Sequence, residues 1–159
     1  MSRQLDVIDK RILDELQMNG RLPIVELANR VHLTKTPCSE RVKRLEKSGV
    51  IKQYRAVLDP DLIDMKHVTI VHISLNQTGD TSLEDFNKAV IKIPEVQSCM
   101  LIAGQFDYVL KVRSRDIAHF REILGDSIGK LPGVRQSNSF AVMEIVKETE
   151  YIQVLQKEP

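Results

Sequence analysis

The spacing of apolar residues changes once along this chain, and the change sets what it can fold into. Up to about residue 58 the apolar positions recur every three or four residues, as on one face of a helix. From residue 68 onward, stretches that alternate every second residue are interleaved with helical ones. Asp59-Pro60-Asp61 breaks the pattern between the two regimes, which places a domain boundary within 59–67. The chain of 159 residues is long enough for two small domains.

The first regime reads as three helices. Asp6 can cap a helix in which Ile8, Ile12 and Leu16 recur every four residues. Asn19-Gly20 ends it, with Gly20 suited to a left-handed cap. Pro23 opens a second helix that puts Ile24, Leu27, Ala28 and Val31 on one face. After a tight turn at His32-Leu33, Thr34 or Thr36 caps a third helix, with Pro37 in its first turn, where a missing N–H costs little. Cys38, Val42 and Leu45 form its apolar stripe, and Ser48-Gly49 stops it. Two extended pieces, 51–54 and 56–58, would form a small wing.

The second regime reads β-α-β-β-α-β. A strand at 68–75 turns Val71, Ile73 and Leu75 to one face and ends in a Thr78-Gly79-Asp80 turn. Leu83, Phe86, Val90 and Ile93 mark a helix stopped by Pro94. Strands follow at 96–103 and 108–112, then a helix at 116–131 burying Ile117, Phe120, Leu124, Ile128 and Leu131, then a long strand at 134–146. That order implies a ferredoxin-like antiparallel sheet with two helices on one face. The fold class is therefore α+β: an N-terminal winged helix-turn-helix domain (1–58), a linker (59–67) and a C-terminal βαββαβ domain (68–159). No helix remains for the other face of the sheet, so burial against a second copy, at least a homodimer, is expected.

Charge is nearly balanced at +1 overall but unevenly spread. Residues 1–66 hold thirteen Lys and Arg against ten Asp and Glu; the remainder holds ten against twelve. Within 35–55 seven basic residues face two acidic ones, a local net of +5. Such a cluster suits a focused contact with a polyanion, although a solvated helix face has the same composition. A helix-turn-helix lays its second helix in the major groove. Arg41, Lys43, Arg44 and Lys47 could donate to base edges and phosphates, with Ser39 and Thr36 as shorter partners and Lys35 and Glu40 on the same helix.

Other classes find little support. No run of 18 apolar residues suggests a membrane span, and residues 1–10 carry no apolar signal segment, so a cytoplasmic location is expected. Cys38 and Cys99 are too far apart to suggest a metal site or a disulfide framework, and read as small buried hydrophobes. No catalytic set, metal constellation or cofactor loop is evident.

The run "TPCSERVKRLEKSGVI" within residues 5–54, "LIAGQFDYVLKV" and "LPGVRQSNSFAVMEIVK" resemble, in order, the recognition helix, the effector loop and the last strand of the Lrp/AsnC (feast/famine, leucine-responsive) regulators. The resemblance covers roughly 5–150. It implies a helix-turn-helix over 24–43 and a small effector, an amino acid, bound between C-terminal domains near the loop that joins the second and third strands. On this chain that loop is Ala103, Gly104, Gln105, Phe106, Asp107 and Tyr108. Gly104 would let backbone N–H groups approach a carboxylate, and Asp107 would pair with an α-ammonium group. Leu101 and Ile117 would pack on an apolar side chain, while Ser137 and Ser139, where relatives carry Thr, would bind the carboxylate. The family also implies double-stranded DNA as a partner and assemblies up to tetramers or octamers.

Two positions depart from the family pattern. Gln105 stands where many relatives have Asp, and His32 where they often have Gly; at positive φ, His32 would cost on the order of 1 kcal/mol. Two other functions share the fold: an enzyme of the sirohaem decarboxylase type, and an amino-acid sensor without DNA binding. The first would need histidines lining a tetrapyrrole cavity, yet His32, His67, His72 and His119 show no short-range pairing.

Overall fold

The protein is described by a computed structural model covering residues 5–77 and 79–155; Thr78 of the expected turn and the first four residues lie outside that range. It divides into two compact units. One contains the residues up to Val57 together with those from Lys147 on, and the other spans Leu58–Val146. The first division falls after Val57, and the chain from Lys147 on is grouped with the first unit rather than with the sheet.

Among the described residues the first unit contains α1 (Val7–Met18), α2 (Ile24–Arg30) and α3 (Lys35–Lys47). The Asp6 carboxylate accepts from the Asp9 N–H at 2.7 Å, satisfying a donor that the helix itself leaves unpaired. Neither Thr34, the residue at the start of α3, nor Pro23 before α2 makes a side-chain cap. Ile12, Leu27, Ala28, Val31, Cys38 and Leu45 are nearly or fully buried together, so the apolar stripes of the three helices meet in one core. Burial of this kind stabilises by roughly 1.5–3 kcal/mol for each large side chain.

Two local expectations change. Gly20 is not left-handed; α1 ends with Asn19 extended, at φ −146°. A Cβ on Gly20 would stand 3.2 Å from the Tyr54 ring, so a larger residue there would press the ring back by a few tenths of an ångström. Residues 51–58 run without a paired strand, and the wing is a stretch of chain rather than a ladder. Tyr54 anchors it: its hydroxyl donates to Glu46 Oε1 at 3.0 Å. Burial first, and then Glu46, push that phenol up to about 12.

The second unit contains β1 (His67–Leu75), α4 (Asp80–Val90), β2 (Val96–Leu101), β3 (Tyr108–Ser114), α5 (Ile117–Asp126), a 3₁₀ turn (Ile128–Lys130) and β4 (Val134–Ala141). The sheet order is β2-β3-β1-β4 with every neighbouring pair antiparallel, as the ferredoxin-like reading requires. Val71, Ile73, Leu75, Leu110 and Val112 meet Phe86, Val90, Phe120 and Ile123 in a second core.

Three elements are shorter than expected, the second strand among them, since it ends at Leu101 rather than at 103. The helix over 116–131 breaks at Ser127, and Ile117 is exposed rather than buried; Ile123 takes the inward place. The last strand stops at Ala141, not at 146. Ala141 pairs with Thr69, Val142 N donates to Val68 O, and β1 begins at His67, so the partner strand runs out. No helix among the described residues is long and apolar enough to cross a membrane.

Candidate nucleic-acid interface and ligand loop

The turn between α2 and α3 is closed by backbone bonds. His32 N donates to Asn29 O at 3.2 Å and Leu33 N to Ala28 O at 2.8 Å, the pairing of a Schellman motif, with His32 left-handed at φ 58°. Histidine tolerates that region better than most side chains. Leu33 packs on the core and fixes the exit toward α3.

The cations of α3 then fall into two sets. Arg41 donates to Asp6 Oδ2 at 2.6 Å and to Asp9 Oδ1 at 2.7 Å. Arg44 donates to both oxygens of Asp9 at 2.7 Å. The Asp9 side chain is only 6% exposed, so its charge is held away from water and depends on these two guanidinium groups. The same contact, chiefly the Arg41 hydrogen bond, holds the Asp6 carboxyl below its ordinary value. Arg41 and Arg44, expected to read base edges, therefore tie α3 to α1.

Thr36, Glu40, Lys43 and Lys47 follow one another at i, i+4, i+7 and i+11, one face of the helix, and all four are exposed. Lys35 is exposed at the start of the helix, and Ser39 is half-buried beside it. Helical spacing alone could have separated the two sets; that α1 would bring Asp6 and Asp9 to the inner set required the tertiary fold.

In the second unit, Ile102 N donates to Asp107 O at 2.9 Å and closes the hairpin between β2 and β3. Asp107 N donates to Ile73 O at 2.9 Å, and its Oδ2 accepts from Leu75 N at 2.7 Å. The loop is thereby docked on the C-terminal end of β1. Ala103, Gly104 and Gln105 are exposed, as is Leu101, and a Cβ on Gly104 would meet nothing within 4 Å. Ser137 pairs with Ile73 across β4, at the same end of β1, and Ser139 pairs with Val71.

Two other expected members lie elsewhere. Tyr108 points into the core, stacked on Phe86 and donating to Asn87 Oδ1 at 2.9 Å. Ile117 follows β3 at its Ser114 end, which pairs with His67, so within one chain it lies at the opposite end of the sheet from the loop. It lines a groove of about 810 Å³ along α5, with Phe120, Arg121 and Leu124.

The histidines have separate duties. His67 contacts Thr69 Oγ1 at 3.0 Å, His119 Nδ1 accepts from Arg115 N, and His72 lies between Phe106 and Phe140. Burial pushes both the Cys38 and Cys99 thiols up, which disfavours the reactive thiolate.

Comparison with known proteins finds two family models along the chain. Residues 5–52 match a family model described as winged helix-turn-helix DNA-binding, and residues 68–152 match one described as Lrp/AsnC ligand binding domain. The chain is 48% identical over 148 residues to a proline dehydrogenase transcriptional activator of Rhodobacter capsulatus, covering 93% of this chain and 96% of that one. It is 46% identical to the leucine-responsive regulatory protein of Haemophilus influenzae, covering 95% and 91%. A transcriptional regulator from Neisseria meningitidis, solved with L-methionine, superposes with a TM-score of 0.88 at 36% identity, over 94% of this chain and 96% of that one. A feast or famine regulatory protein from Mycobacterium tuberculosis, also with L-methionine, gives 0.84 at 29% identity, over 94% and 99%.

Proposed function

The chain belongs to the Lrp/AsnC family of DNA-binding transcriptional regulators, and we propose that it grips the major groove with the outer face of α3 while an amino acid at the 102–107 loop tunes that grip. The observation that carries the DNA part is the split of the α3 cations. Arg41 and Arg44 are engaged on Asp6 and Asp9, which leaves Lys43 and Lys47 to meet phosphates, with Thr36 and Glu40 beside them for base edges. Lys35 adds charge at the start of the helix, and Ser39 is close enough to contribute a hydroxyl. The protein is a regulator and not an enzyme, as its relatives are.

The ligand part is built on the exposed backbone of Ala103, Gly104 and Gln105, with Ser137 at the same end of β1 to receive a carboxylate. The second oxygen of Asp107 is available to an ammonium group while the first holds Leu75 N. The relatives solved with L-methionine support a neutral amino acid with an apolar side chain, which suits exposed Leu101 and Ile102. Ile117 would join the site from a second copy, in keeping with assembly as a dimer, tetramer or octamer in the cytoplasm.

One titration tests both parts: binding to a duplex that the protein selects from random sequence, followed over salt, with and without each of the twenty amino acids. Lys43→Ala should lower the slope of log K against log salt by about one. An unchanged slope removes Lys43 from the phosphate contacts, and a panel without any effect removes the amino-acid ligand.

A further inference from the structure

Among the described residues, 147–155 form no helix or strand, yet side chains and backbone of this stretch are tied to α1 and to the chain after α3. Glu150 pairs with Arg55, in the segment that follows α3. The Tyr151 hydroxyl donates to Asp14 on α1. One turn further along α1, the Gln17 amide grips Ile152 twice: Oε1 accepts from Ile152 N at 2.7 Å, and Nε2 donates to Ile152 O at 2.9 Å. Val154 packs on the core of the three helices, and Leu155 lines a cleft with Arg30, Val31 and His32 at the α2–α3 turn. Five of the six residues 150–155 thus reach the chain after α3, the body of α1 or the helix-turn-helix corner, while the Gln153 amide donates to Leu155 O within the tail.

Chance packing of an exposed tail does not usually satisfy both backbone groups of one residue with a single side chain. An amide used this way mimics a strand partner and fixes the register of the tail along α1. α1 is also the helix whose Asp6 and Asp9 hold Arg41 and Arg44 of α3. The contacts form one physical series: tail, Gln17 and Asp14, α1, Asp9, α3.

We propose that residues 150–155 are a strap that seats α1, and through α1 orients the recognition helix, which makes Gln17 and Tyr151 positioning residues for DNA binding although neither faces the DNA-contacting side of α3. The inference rests on the reading of α3 as the recognition helix.

The test uses the full chain carrying Gln17→Ala and Tyr151→Phe, beside the Lys43→Ala variant. Amide hydrogen exchange at Ile152 reports whether the strap is docked, and DNA titration over salt reports the orientation of α3. The double variant should lose protection at Ile152, bind the selected duplex about fivefold more weakly, and show a shallower salt slope. Gln17→Glu, which keeps the acceptor for Ile152 N, should recover part of both. Undiminished protection at Ile152 would overturn the clamp. Lost protection with affinity and slope unchanged would overturn the positioning role. If Lys43→Ala also leaves DNA binding unchanged, the reading of α3 fails; if Lys43→Ala weakens binding and the double variant does not, the strap alone fails. Should the double variant unfold, Ile152→Pro removes the same N–H donor without altering α1.

Discussion

At the scale of single residues, the most consequential group is a carboxylate. Asp9 is 4% exposed and is the shared acceptor for Arg41 and Arg44. Asp9→Ala leaves both guanidinium groups without their buried partner and should cost about 2 kcal/mol, below the upper range for buried pairs because both arginines retain some water. Urea denaturation of the full chain measures this. Asp6 adds a pH dependence. Its folded value is depressed, mainly by the Arg41 hydrogen bond, so its contribution is complete above the ordinary value of 3.8 and fades as pH falls through the lower folded value. Asp6→Asn should therefore lower the melting temperature at pH 7, and the gap to the parent should narrow in acid. The effect will be small, since the side chain is half exposed and screened. The sequence showed that Asp6 caps α1 and that 35–55 is basic. It did not show that the cap and two of the cations belong to the same cluster, because residues 6 and 41 are brought together only by packing.

At the scale of elements, local chemistry proved readable where an element is closed by its own neighbours. Asp6, Pro37 and Gly49 stand where cap, first turn and stop were expected. Gly49 has φ 75°, and a Cβ there would meet nothing within 4 Å, so the conformation is its only demand. Gly49→Ala should destabilise by about 1 kcal/mol through the backbone alone, measurable as a shift in denaturation midpoint without loss of helix content. Elements that depend on distant partners were misjudged. The last strand stops where β1 begins, at a limit set by Val68 and His67, far earlier in the chain. The segment 51–58 forms no ladder among the described residues, and Tyr54 holds it through its contacts with Gly20 and Glu46.

At the scale of the molecule, the sheet presents one face to α4 and α5 and another without helices. Register places Phe140 opposite Ile70, His72 opposite Asn138, and Met100 opposite Val109 on that second face. Phe140 and Met100 remain about half exposed, and His72 Nδ1 has no hydrogen-bond partner. The exposed apolar area of Phe140 and Met100 supports a second copy on this surface, where it would be covered. Phe140→Asp should shift the mass measured by light scattering toward the monomer while leaving the far-ultraviolet circular dichroism unchanged; an unaltered mass would place the interface elsewhere. The six-element order was legible because each strand and helix announced its own period. The ligand loop was legible only as a loop. That Tyr108 turns inward and Ile117 stands at the far end of the sheet follows from register, which no single segment encodes.

The return of residues 150–154 to α1 also has a meaning in time. A ribosome adds about 5–20 residues each second, so roughly 5–20 seconds separate the emergence of α3 from that of its strap. During that interval the helix-turn-helix exists without Glu150, Tyr151, Ile152 and Val154 against it. If the strap orients α3 as proposed, a nascent chain still on its messenger should compete less well for operator DNA than one in which residues 150–155 have docked. On the strap proposal, a chain cut short before residue 150 should keep its helix-turn-helix and bind DNA more weakly, as the Gln17 and Tyr151 variants would.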